Sequence, residues 1–346
     1  MPVEALLTWY RANARDLPWR RATRNPYHVL VSEFMLQQTQ VDRVAPRFVE
    51  FVTRFPSLDL LAAASEEEVL TAWSGLGYYR RARMLHRLAR EVRSRGGDLP
   101  SSATELEKLP GVGPYTAAAV ASMAFGEAAP VLDGNVMRVG ARVLAMVDNP
   151  RSALGHRRLR SWIHSLMEGN PPGQINEALM ELGAVVCTPS DPECGSCPFV
   201  GVCGARAEGR QGAYPRPRSR RKTVALRWVA ACVVDLESRW LLRRVDDGPI
   251  LRGLWLPPLA EIATDADPLA AALRLLPGRA SSPPETGHLV SHNITHRKIE
   301  VVPVRVAIDH VDPPSDNWRW LDPEDPGVPT SSLLAKLVAS LDRENV

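Results

Sequence analysis

Four cysteines past the middle of the chain, Cys187, Cys194, Cys197 and Cys203, are spaced C-x6-C-x2-C-x5-C, with Pro198 directly after the third. Thiols crowded this closely in a chain expected to be cytosolic point to a bound metal or cluster rather than to disulfides. The N-terminus, MPVEALLTWYRANARD, meets Glu4, Arg11, Arg15 and Asp16 without a sustained apolar run, so it does not read as a secretory leader. No stretch is long or apolar enough to span a membrane, and the expected compartment is the cytoplasm. Four thiolates can hold a 4Fe-4S cluster or a structural zinc, and local chemistry does not choose between them. The fifth cysteine, Cys232, falls in an apolar strand-like segment and is expected to be a buried structural residue.

The cysteines close a helical first half. Apolar residues recur at three- and four-residue spacing in Tyr27 to Gln38, Ala45 to Phe55, Arg81 to Val92, Thr116 to Phe125 and Gln174 to Val186. Beyond them the run GRQGAYPRPRSRRK mixes Arg210, Arg216, Arg218, Arg220, Arg221 and Lys222 with Pro, Gly and Ser, the composition of a basic linker. The texture then changes: Val224 to Val234, Trp240 to Arg244 and Ile299 to Ile308 are β-branched or alternating, with helical patterns at Ala266 to Leu276 and Ser331 to Asp342. The length, 346 residues, exceeds one ordinary core. We therefore expect a mainly α domain over 1–205, a linker over 206–222 and a small α/β domain over 223–346. Formal net charge is only +3, so a nucleic-acid partner must be met by local basic patches.

Within the helical half, LPGVGPYTA (Leu109 to Ala117) breaks a helix and starts another. Ser101 or Ser102 can cap the first helix, Gly111 and Gly113 free the backbone, and the second runs from Tyr115 to Phe125. Such a helix-hairpin-helix lets backbone approach a ligand closely, and the N–H groups opening its second helix suit a phosphate. Asp133, in VLDGNVMRVGARV, is placed to cap the next helix. Far upstream, Glu33 has Val29, Leu30, Leu36 and Gln37 as helical neighbours, an environment that raises a carboxyl pKa toward neutrality. One protonated and one ionised carboxyl form the usual equipment for breaking a glycosidic bond.

With these residues in view, the first half closely resembles the helix-hairpin-helix DNA glycosylases that carry an iron-sulfur cluster, the endonuclease III and MutY group. DLPWR at Asp16 to Arg20, SEFMLQQTQV at Ser32 to Val41, GLGYYRRA at Gly75 to Ala82 and NEALMELG at Asn176 to Gly183 extend the resemblance over nearly all of residues 1–205. It implies a 4Fe-4S cluster on Cys187, Cys194, Cys197 and Cys203. The lyase branch carries a lysine where this chain has Tyr115, so the resemblance implies a monofunctional glycosylase of the MutY type. It assigns catalysis to Glu33 and Asp133, with Asn135 and Tyr115 orienting Asp133. Gly111, Val112 and Gly113 would hold a phosphate, with Arg80, Arg81, Arg83 and the linker arginines on backbone elsewhere. Gln37 and Gln38 would probe the vacated base stack, while Arg15, Trp19, Leu36 and Glu177 surround the extruded adenine. The loop TPSDPE between Cys187 and Cys194 lacks basic residues, so little phosphate contact is expected there.

The second half is similar to the MutT-like, Nudix-type domain that MutY-type enzymes append to check for 8-oxoguanine. ADPLAAALRLL lacks the acidic helix that holds magnesium in an active Nudix hydrolase, so the domain is expected to bind and not hydrolyse. The lesion-reading triplet falls on Ile294, Thr295 and His296, with Val290-Ser291-His292 as a rival frame. The implied partner is double-stranded DNA with adenine opposite 8-oxoguanine or guanine, engaged by a monomer. The alternatives are a glycosylase for thymine opposite guanine and a non-catalytic damage binder.

Overall fold

A computed structural model describes residues 2–21, 24–216, 223–247, 250–308 and 312–341. Arg218, Arg220, Arg221 and Lys222 of the basic linker, and Asp342 at the end of the last predicted helix, lie outside the described residues. Two compact units emerge, Met1–Ala63 with Met84–Ser219, and Ala64–Arg83 with Arg220–Val346.

Numbered along the chain, the helices are α1 (Pro2–Asn13), α2 (Pro26–Leu36), α3 (Val41–Arg54), α4 (Leu58–Ala63), α5 (Glu66–Ala72), α6 (Arg80–Ser94) and α7 (Ala103–Leu106). They continue as α8 (Pro114–Phe125), α9 (Gly134–Val143), α10 (Ala153–Met167), α11 (Pro172–Val185), α12 (Gly204–Ala207), α13 (Pro268–Leu273) and α14 (Ser332–Leu341).

In the first unit local chemistry sets the boundaries. Asn25 caps α2 by accepting from the Tyr27 and His28 N–H groups, and Pro26 occupies the first helical position, where its missing N–H is no loss. Ser152 caps α10 in the same way. Helices α1, α9, α10 and α11 enclose one core containing Leu6, Val139, Ile163, Leu179 and Leu182. Phe199, 1% exposed, joins that core from the cysteine loop and anchors the loop to the bundle. Helix α8 buries Ala117 through Ser122, small side chains that let backbone approach its neighbours.

The second unit is built on a mixed sheet of eight strands among the described residues. Strand β1 (Val224–Val234) and β2 (Trp240–Arg244) form where the sequence places them, followed by β3 (Trp255–Leu256), β4 (Leu259–Glu261), β5 (Glu285–Thr286), β6 (Val290–Ile294), β7 (Arg297–Ala307) and β8 (Trp318–Leu321). The order is β3-β2-β1-β7-β5, with β4 on β1, β6 on β7 and β8 on β2. Strands β1 and β7 pair in parallel from Val224 opposite Arg297 to Val234 opposite Ala307. Both faces of β1 are covered, as parallel pairing at a sheet centre requires. Ala230 and Cys232 face the layer of α14, while Val229, Ala231 and Val233 face that of α13. Cys232 is buried, as its apolar setting implies.

Candidate active site and cysteine loop

The hairpin forms from the capping serine onward. The Ser102 hydroxyl accepts from the Glu105 N–H to start α7, and Gly113 stands as N-cap of α8 with Pro114 behind it. Gly111 has φ +77, and a β-carbon there would come within 2.5 Å of the Met84 Cβ. A β-carbon on Gly113 would meet nothing within 4 Å. Val112 is buried, so its side chain is not presented to a ligand. No side chain caps the first turn of α8, which leaves its N–H groups to an outside acceptor. The two glycines should therefore separate by substitution. Gly111→Ala is expected to lower the unfolding free energy by about 2 kcal/mol, from left-handed strain and overpacking. Gly113→Ala should stay within about 0.5 kcal/mol of wild type. Its methyl group nevertheless stands in the approach to those N–H groups, so duplex affinity should fall about tenfold, by roughly the worth of one charge-assisted hydrogen bond. Thermal melts and a binding titration check both.

Behind the hairpin two carboxyl groups converge. Glu33 of α2 is 3% exposed, and its Oε2 atom has no hydrogen-bond partner among the described residues. Burial pushes it up to about 7, with the Asp133 and Glu177 charges acting in the same direction and the Tyr115 hydroxyl, hydrogen-bonded to it, acting against. Burial likewise holds the Tyr115 hydroxyl well above its ordinary range, so it stays protonated. Asp133 caps α9, its Oδ1 accepting from the Val136 N–H at 2.6 Å. Burial raises Asp133, while the N–H groups of Val136 and Asn135 and the Arg138 and Arg151 charges oppose the rise. Asn135 thus meets Asp133 through its backbone. Its side-chain oxygen accepts instead from Arg138 at 2.9 Å. Tyr115, expected to orient Asp133, makes its hydrogen bond to Glu33.

Around these groups stand the residues expected to hold a base. Trp19 is buried, edge-on to Phe48 with ring centroids 5.3 Å apart. Leu36 ends α2, Gln37 caps it, and the Gln37 amide donates to the Thr116 hydroxyl at 3.3 Å. Gln38 is exposed and held at φ 61, a left-handed conformation that is strained for glutamine and turns it away from the helix. Arg15 is not free to swing: its guanidinium forks onto Glu181, with Nε 2.7 Å from Oε1 and Nη2 3.0 Å from Oε2. Glu177 accepts from the Tyr10 hydroxyl at 3.1 Å and from Arg24 at 2.8 Å. Tyr10, Arg20, Arg24 and Glu181 escape a reading of the sequence. The available signal was NEALMELG, which places two carboxylates four residues apart on the apolar face of a helix.

In the second unit Ile294 and Arg297 form the last pair of the β6–β7 hairpin, leaving Thr295 and His296 as its exposed two-residue turn. Thr295 has φ 56 there. In the rival frame Val290 and His292 are buried, and burial pushes the His292 imidazole down to about 4. Of the arginines expected on DNA backbone, Arg80 is exposed. Arg83 is engaged by Glu66 and by the Arg252 carbonyl. Arg81 is a correction to that expectation: it is 8% exposed, lies over the Trp73 and Tyr78 rings, and donates to the carbonyls of Leu76 and Gly77. Tyr78 beside it, which the sequence reading passed over, is 40% exposed and held at φ 48.

Cys187, Cys194, Cys197 and Cys203 line one cavity with Val139, Arg142, Phe199 and Gln211. All four thiols are half-buried and unpaired. Arg142, 2% exposed, ties this loop together, donating to the carbonyls of Thr188, Pro189, Gln211 and Tyr214 and to the Cys187 sulfur at 3.3 Å. Among the described residues no three side chains close to the spacing of ligands around a single ion.

A hairpin at the foot of an uncapped helix, beside the buried Glu33 and the half-buried Asp133, defines a helix-hairpin-helix protein of base excision. The family model of that description, the HhH-GPD superfamily base excision DNA repair protein, matches residues 31–182. The human adenine DNA glycosylase is 47% identical over 216 residues, which span 60% of this chain and 40% of that protein. The adenine DNA glycosylase of Mycolicibacterium smegmatis is 45% identical over 210 residues, spanning 60% of this chain and 70% of that protein. A solved thermostable thymine-DNA glycosylase superposes with a TM-score of 0.55 at 30% identity, covering 60% of this chain and 95% of its own. The chain spans less than half the length of the human, rat, mouse and Arabidopsis relatives it matches. It belongs to the adenine DNA glycosylase family.

Proposed function

We propose that the chain is a monofunctional adenine DNA glycosylase that acts on adenine mispaired in duplex DNA. The observation that carries this is Glu33, a buried carboxyl pushed up to about 7 and close enough to Asp133 to feel its charge. The hairpin grips a phosphate of the lesion strand, Gln37 and Gln38 stand at the vacated stack, and the mispaired adenine is extruded at a cost of a few kcal/mol. Glu33 gives its proton to N7, so the base leaves neutral as the N-glycosidic bond breaks. Asp133 stabilises the oxocarbenium ion, and water completes the hydrolysis at the sugar. Tyr115 has no amine with which to form a Schiff base, so strand cleavage does not follow. Its hydrogen bond fixes the Glu33 carboxyl instead.

The exposed Thr295–His296 turn supports the frame Ile294, Thr295, His296 for contact with the base opposite, 8-oxoguanine or guanine. Helix α13, PLAAAL, carries no carboxylate, in keeping with a MutT-like domain that binds without hydrolysing. Cys187, Cys194, Cys197 and Cys203 would hold a 4Fe-4S cluster. Four thiols that line one cavity are the donor set such a cluster takes. When bound, the cluster supplies a rigid cross-link of the loop that Phe199 and Arg142 seat. Cys197→Ser should therefore lower iron content and visible absorption, and reduce duplex binding before it affects chemistry. Normal iron content in that variant would count against the assignment.

The test of the function is base release from duplexes with adenine or thymine opposite 8-oxoguanine, guanine and the ordinary partners. Adenine release from mispairs is expected. The resemblance to a thymine-DNA glycosylase makes thymine opposite guanine the informative competitor, and its preferential release would overturn the reading. Binding without any release would leave only a damage binder.

A further inference from the structure

Helix α11 carries Glu177 and Glu181 one turn apart, and the structure treats them differently. The Glu181 side chain is 0% exposed and both its oxygens are saturated. Its Oε1 accepts from the Arg15 N–H at 3.2 Å and from Nε at 2.7 Å, and its Oε2 from Arg15 Nη2 at 3.0 Å and Arg20 Nη2 at 2.8 Å. Glu177 is nearly as buried, yet Tyr10 and Arg24 both donate to its Oε2. Neither bond reaches its Oε1. Arg20 also lies 5.7 Å from the Tyr10 ring centroid, and Arg24 donates to the Trp19 carbonyl at 3.1 Å. One network thus joins both glutamates to the segment that carries Trp19.

The electrostatics follow the same division. Burial raises both carboxyls, but the hydrogen bonds from Arg15 and Arg20 outweigh it and hold Glu181 below its ordinary range, whereas Glu177 stays above. Arg20 acts on both. A guanidinium released from Glu181 would seek another carboxylate, because a buried charge left unpaired is costly. Glu177, one turn away on α11 and already within the influence of the Arg20 charge, offers one.

We propose that Glu181 is a positioning residue that keeps Arg15 and Arg20 off Glu177, leaving the second oxygen of Glu177 open to accept an N–H from the extruded base. The proposal rests on the functional reading above. It assigns Glu181 no contact with substrate.

The full-length chain is tested under single turnover with adenine in a mispair, alongside binding to the same duplex carrying an abasic-site analogue, which offers no base to the pocket. Glu181→Gln should slow adenine release about 100-fold, the scale of a small misplacement in a reacting complex. Affinity for the abasic duplex should stay within about twofold. Arg20→Gln added to Glu181→Gln should restore part of the rate, since one of the two cations freed to capture Glu177 is gone. Losses that merely add, in place of that rescue, would mark a structural role and overturn the proposal. So would a wild-type rate in Glu181→Gln, or loss of abasic-duplex binding in step with rate. Should Glu181→Gln fail to fold, Glu181→Asp keeps the charge and shortens the reach, and a wild-type rate in it would overturn the proposal. Failure of the wild-type chain to release adenine from any mispair would instead sink the functional reading itself.

Discussion

Glu33→Gln is expected to lower single-turnover adenine release by about 1000-fold or more, within the range ascribed to a positioned general acid. The amide fills the same space between α2 and Tyr115 but has no carboxyl proton to give, so duplex binding should survive. The wild-type rate should depend on pH through this group: with Glu33 titrating at about 7, release should fall about tenfold per unit above that pH, and a second, acid limb should appear where Asp133 becomes protonated. Stability should move the opposite way to activity in the variant. Because the folded-state pKa is raised from an ordinary 4.5, the native state binds this proton more tightly than the unfolded chain. The advantage of the protonated form is complete below about pH 4.5 and is lost as pH rises through about 7. Above that, the wild type carries a buried carboxylate whose penalty is on the order of 3 kcal/mol. Gln carries none, so the variant should melt higher than wild type at pH 8 and close to it near pH 4. A variant that melts lower at pH 8, or releases adenine normally, would remove Glu33 from the assigned role.

That a buried acid sits at Glu33 was legible in the sequence, because the spacing of Val29, Leu30, Leu36 and Gln37 already surrounds it with apolar side chains. The hairpin and the α9 cap were equally legible, since glycine, proline and aspartate act through local backbone chemistry. Strand β1 was bounded correctly by apolar and β-branched residues covered on two faces, and β2 by its apolar Trp240, Leu241 and Leu242. What escaped was set by contacts distant in the chain. Glu181 reads as one more helical glutamate until the segment bearing Arg15 and Arg20 folds across it. Arg81 reads as one basic residue in a basic run, yet its place over the Trp73 and Tyr78 rings takes it from the surface. The short strands β3, β4 and β5 hold two or three residues each, too few for any periodicity. Residues 64–83 fall in the helical half by sequence, yet they group with the sheet unit. Tyr79, whose hydroxyl donates to the Thr330 carbonyl, is one of the long-range contacts responsible.

Asp133→Asn separates a structural role from a chemical one in a single atom. Asparagine caps a helix as well as aspartate does, and its side-chain oxygen can still accept from the Val136 N–H, so stability should stay within about 0.5 kcal/mol of wild type. The carboxylate charge is lost. If Asp133 served only to start α9, release of adenine would be nearly unchanged. If it stabilises a cationic sugar, release should fall about 1000-fold, the upper end of what one preorganised electrostatic contact contributes. The residual activity carries a second signature. The Asp133 charge is among the causes that raise Glu33, so removing it should let Glu33 ionise at lower pH and move the alkaline limb of the rate profile downward. A variant with the lost rate but an unmoved limb would mean that the two carboxyls do not share a pocket, and a normal rate would reduce Asp133 to its cap.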